Sequence, residues 1–247
     1  MERCSSKESL VLGTMVLTVR AGLEPDAHED FTVHDNLIRT HSPFIDAAMR
    51  NDWKEAQERL IKMPETDPVC FHIYVQWLYS SRIHSAVTTA AKPGSTIWAY
   101  SKALNREFDT LVGCWIMGDV LRDTDFQDAT MDILMKLCRT IHGLGIEILG
   151  PLAHYVYAHT TGKTSPLKAL LVAHTTVSLT PRKMELFFKE DYPKDFVTEV
   201  LSAVYRRWNN GNTGQLLNLE AKCETYHQHY KTGGPCYKDK LPKPMPL

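Results

Sequence analysis

Between Thr14 and Arg50 the hydrophobic period changes from that of a strand to that of a helix, and this change limits the fold more than any other feature. Met15, Leu17 and Val19 alternate with Thr14, Val16, Thr18 and Arg20, the spacing of a strand with one strongly apolar face. The next stretch, "GLEPDAHED", is rich in turn formers and acids, and alternation resumes from Phe31 to His34, which predicts a hairpin. The pattern then becomes helical. Asp35 is placed to cap the helix after His34, and Ser42 to cap one starting at Pro43, where a missing N–H costs nothing. In that second piece Phe44, Ala47 and Ala48 are expected to face inward, and Arg59 to Met63 predicts a third short strand.

A His beside an Asp with a Ser eight residues on invites a catalytic reading. Triads are made by geometry, which adjacency does not supply, and neither a nucleophile elbow nor a second acid accompanies the pair. The residues are therefore read as a strand-to-helix junction, and no catalytic residue is assigned.

Three longer helices follow. Asp67-Pro68 starts one running to Tyr79, with Val69, Phe71, Tyr74, Val75, Trp77 and Leu78 apolar on most sides, the mark of a central helix. Phe108, Leu111, Val112, Trp115, Ile116 and Val120 form the stripe of a second. Thr124 and Gln127 read as the capping box of a third, striped by Phe126, Ala129, Ile133, Leu134 and Leu137. Ser80 to Thr96, between the first and second, reads as a loop.

With 247 residues, 43% hydrophobic and 23% charged, the chain can bury a substantial core. Its net charge of -1 carries no footprint for nucleic acid or an anionic membrane, which makes protein partners the default. Six widely spaced cysteines, several within apolar helical patterns, suit a reducing, intracellular compartment. The apolar run after Lys7 is broken by Gly13, Thr14 and Thr18 and lacks a cleavage pattern, so it is not read as a secretion signal. No stretch approaches the ~18 apolar residues of a membrane span.

The succession of "FTVH", "HSPFIDAAM", "MPETDPVCFHIYVQWLYSS" and "GDVLRDTDFQDA" resembles the BTB/POZ family, and is similar in wording to its fungal members. The resemblance runs from about Thr14 to Arg139. It implies an α+β, mainly helical fold: a small three-stranded sheet with a cluster of helices, followed by a C-terminal helical extension. The implied division is a BTB/POZ domain over 10–140, the extension over 141–225 and a flexible tail over 226–247. The resemblance further implies a non-enzymatic interaction module without a cofactor, which self-associates or recruits a protein partner. Adaptor of a cullin-type ubiquitin ligase and transcriptional regulator are the alternatives, and no DNA-binding motif accompanies the latter. The implied homodimer surface is Thr14, Val16, Thr18, Leu37 and Ile38, on an exposed edge of the first strand and the helices after it. The implied cullin-contact region is Phe71, His72, Ile73 and Tyr79, with Ile73 standing where the family's acid belongs.

Beyond Arg139 the residues suggest further helices: one carrying Leu149, Leu152 and Val156, one carrying Leu167, Leu170, Leu171 and His174, and one after Pro193 with Phe196, Val200, Leu201, Val204 and Trp208 on one side. "TTGKTS" ends like a phosphate-binding loop, but Tyr157 occupies the position of its first glycine and a helix precedes it, so it reads as an interhelix turn. Cys223, His227, His229 and Cys236 offer ligands of the right softness for zinc. Their spacing matches no familiar finger, and Gly233-Gly234-Pro235 gives the stretch the character of a loose, solvated tail, so no metal is expected.

Overall fold

The computed structural model describes residues 12–25, 27–50, 53–86, 97–143, 150–162, 165–209 and 223–240. The protein is mainly helical with a small three-stranded mixed sheet, an α+β fold. It divides into two compact units, one of residues 1–85, 113–130 and 232–247, the other of 86–112 and 131–231.

In the first unit, β1 (Val16–Leu23) and β2 (Ala27–His34) form the predicted antiparallel hairpin, with Val16 opposite His34 and Leu23 opposite Ala27. Gly22 sits near its turn at φ +96°, and a Cβ there would run into the Ala27 carbonyl, so the hairpin requires glycine. Leu17, Val19 and Ala21 of β1 are buried with Phe31 and Val33 of β2, as alternation dictates. Met15, counted in that apolar face by its spacing, precedes the strand and is exposed.

The chain then forms α1 (Asp35–His41), α2 (Pro43–Arg50) and α3 (Lys54–Glu58) before β3 (Leu60–Met63). This helical crossover brings β3 in parallel beside β1, Thr18 opposite Leu60, and the sheet order is β2-β1-β3. The first strand is therefore central. The exposed β1 edge expected from the sequence does not exist, because β3 occupies it.

Of the two caps expected here, one forms and one does not. Asp35 does not cap α1; it is the first helical residue, and its carboxylate accepts from Arg39 at 3.1 Å and Arg59 at 2.8 Å. Ser42 does cap α2, accepting from the Ile45 amide at 3.2 Å. Ile45 is the fully buried side chain of α2, whereas Phe44 and Ala47 point outward.

The central helix α4 (Pro68–Ser80) is capped by Asp67, whose side chain accepts from the Val69 amide at 2.8 Å. It buries Cys70, Phe71, Ile73, Tyr74, Trp77 and Leu78, as its nearly all-round apolarity requires. The two long helices are α5 (Ile97–Leu121) and α6 (Thr124–Gly143). The cap of α6 is Asp123, not Thr124: its carboxylate accepts from the Phe126 amide at 2.9 Å and from the Tyr74 hydroxyl at 3.1 Å. Gln127 reaches instead to the Trp115 carbonyl and to Asp119. Both α5 and α6 contribute residues to each unit.

In the second unit α7 (Gly150–His159), α8 (Pro166–Ser178), α9 (Pro181–Phe187) and α10 (Lys194–Asn209) bury Val156, Leu167, Leu170, Leu171, Phe196, Val200 and Val204. Leu201 and Trp208, expected on the inner side of α10, are exposed. The short helices α11 (Cys223–Tyr226), α12 (His229–Thr232) and α13 (Tyr237–Lys240) occupy the stretch read as a flexible tail, and Tyr226, His227, His229 and Tyr237 within it are buried. Among the described residues no helix is long and apolar enough to cross a membrane. Leu149, residues 163–164 of the "TTGKTS" turn, most of the 80–96 loop, Cys4 and the final residues 241–247 lie outside the described residues.

Candidate interaction groove and Cys/His cluster

The residues singled out by sequence scatter over different environments. His34 and Asp35 take structural partners: His34 Nδ1 lies 2.7 Å from the Tyr79 hydroxyl, and Asp35 is held by its two arginines. Of the expected dimer surface, Thr14 and Val16 are exposed and Thr18 is half-buried, but Leu37 and Ile38 are buried in the core and cannot meet a partner. Short helices pack one face inward, and α1 spends those two side chains on the core. Of the expected cullin-contact region, Phe71 and Ile73 are buried, Tyr79 is half-buried against His34, and His72 alone is exposed.

A groove that sequence reasoning missed lies in the first unit, over α2, α3 and β3. Its volume is about 480 Å³, and Phe44, Ala47, Trp53 and Leu60 give it an apolar lining. Trp53 is 58% exposed and Phe44 39%, large apolar surfaces left in water around the same groove. Lys54, Glu55, Glu58, Lys62 and Arg122 add charges of both signs around them. The β3 strand, part of the lining, pairs only with β1 among the described residues and so presents a sheet edge. The signal available in the sequence was Trp53 itself, an aromatic between polar residues with no periodic partner.

The second constellation lies in Cys223–Cys236. One ligand atom from each of Cys223, His227, His229 and Cys236 falls within 4.8 Å of all the others. The two imidazoles are buried and meet edge to face at 5.2 Å between centroids, while the thiols are half-buried. The His227 amide donates to the Cys223 carbonyl at 3.1 Å, which sets these two side chains one helical turn apart on the same face. His227 Nε2 lies 3.1 Å from an Asp132 carboxylate oxygen on α6.

Elsewhere the strongly perturbed groups sit in packing. Burial, then the Asp123 carboxylate, pushes the Tyr74 hydroxyl well up, and burial raises the Cys138 thiol. Both are inert as nucleophiles or bases near neutral pH.

Neither known family models nor curated protein sequences give a match to this chain.

Proposed function

We propose that the chain is a protein–protein interaction module of BTB/POZ type, and that it self-associates through the groove over α2, α3 and β3. The observation that carries the reading is the exposure of Phe44 and Trp53 together beside the β3 edge. Exposed aromatics on an apolar floor are the usual anchors of a protein interface. The order of elements supports the family reading: a β-hairpin, a helical crossover, a third strand and a central apolar helix follow one another as the resemblance implies.

A second copy is the occupant favoured by charge. Lys54, Lys62 and Arg122 stand with Glu55 and Glu58 around one apolar floor, so two copies related by a two-fold axis can set opposite charges against each other. The net charge of -1 leaves no long-range repulsion between copies. Light scattering across a concentration series tests this: the mass should rise to twice that of the chain. A monomer at every concentration overturns self-association.

A further inference from the structure

We propose that Cys223, His227, His229 and Cys236 bind one zinc ion in a closed, structural site. The proposal does not depend on the interaction groove.

Two thiols and two imidazoles are the borderline-soft ligands that zinc takes in four-coordinate structural sites, and a full set of four protein ligands leaves no open position for catalysis. The pattern Cys-x3-His-x-His-x6-Cys is not a familiar finger spacing. Spacing matters less than convergence, however, and convergence is observed.

Zinc bonds of about 2.0–2.3 Å to nitrogen and sulfur set tetrahedral ligand atoms roughly 3.3–3.8 Å apart. The four candidate atoms already lie within 4.8 Å of one another, so closing the site takes shifts of about an ångström in side chains that already face each other.

A ligating histidine commonly offers its second nitrogen to a carboxylate, which sets the ring's orientation and strengthens it as a ligand. His227 has this arrangement: Nε2 is engaged by Asp132 at 3.1 Å, which leaves Nδ1 to ligate. Asp132 is thus a positioning residue for the metal.

The α11, α12 and α13 helices have 4 residues each, far below the length at which a helix holds itself together in water. Gly233, at φ +75°, turns the chain between the histidines and Cys236, so that the last ligand can return to the first three. A metal tying this loop supplies folding free energy that hydrogen bonds within single turns do not. Cys223 and Cys236 share no disulfide, and each thiol loses its proton as the metal enters.

Untagged full-length protein, purified without chelator under reducing conditions, tests the proposal by elemental analysis. About one zinc per chain is expected, as for a structural site. The wild type is then stripped and loaded with cobalt(II) as the probe. Absorption of tetrahedral cobalt with thiolate charge transfer is expected, and this readout does not depend on any variant folding. Cys223→Ser and Cys236→Ser should each lose the bound metal, while Cys138→Ser, at a buried thiol outside the cluster, should keep it. Absence of stoichiometric metal together with an octahedral cobalt spectrum overturns the site, as does full zinc retention in Cys223→Ser. Asp132→Asn should weaken zinc binding by about 10–100-fold while leaving the tetrahedral spectrum in place.

Discussion

The Ser42 hydroxyl donates to the Leu121 carbonyl at 2.7 Å while accepting from the Ile45 amide at 3.2 Å, so one buried side chain caps α2 and satisfies the C-terminal end of α5. The residue that invited a nucleophile reading thus joins two helices 79 positions apart in the chain. Ser42→Ala removes both bonds and leaves a buried carbonyl without its donor. The expected loss is about 1–3 kcal/mol by urea denaturation. A loss under about 0.5 kcal/mol contradicts this double role.

Trp77 is buried on the central helix, its ring 6.2 Å from Phe126 and 6.0 Å from Tyr237 between centroids. Trp77→Ala opens a large cavity there and should cost ~3–5 kcal/mol. Chemical denaturation that finds less than about 1 kcal/mol would contradict the packing of α4.

Much of this frame was legible because it is local. The β1–β2 hairpin follows from period two and its turn, and α4 from an all-round apolar run behind Asp67-Pro68. What periodicity does not encode is which strand lies next to which. It marked the buried face of β1, but the parallel neighbour β3 arrives through three helices, and this made the supposed edge a sheet interior. In the eight residues of α2 a helical stripe is nearly undetermined, so Ile45 takes the buried side on which Phe44 was expected. Asp123 and Thr124 are adjacent cap candidates, and the buried hydroxyl of Tyr74 beside Asp123 shows which one the fold uses. The Cys/His cluster was visible as residue types only. Its convergence depends on turns of single-turn helices, and its carboxylate partner Asp132 is 95 positions away.

Arg20 on β1 donates to Asp30 through Nε and Nη2, both at 2.7 Å, and to Glu24 through Nη1 at 2.6 Å. These hydrogen bonds hold the Asp30 and Glu24 carboxyls below their ordinary range. A carboxyl depressed in the folded state adds stability above its unfolded pKa, and that stability is lost as pH falls through the folded pKa. The stability gap between wild type and Arg20→Gln should accordingly be present at neutral pH and shrink below about pH 4. Urea midpoints at a series of pH values measure it, and a gap that widens on acidification contradicts the assignment.

The self-association surface is tested most directly by two substitutions on different faces of the first unit. Trp53 lines the groove, and Val16 is exposed at the start of β1. Light-scattering masses of wild type, Trp53→Glu and Val16→Glu are compared at one concentration, with circular dichroism confirming that each is folded. Wild type and Val16→Glu should be dimers and Trp53→Glu a monomer. A folded Trp53→Glu dimer, or a wild-type monomer, would contradict the account.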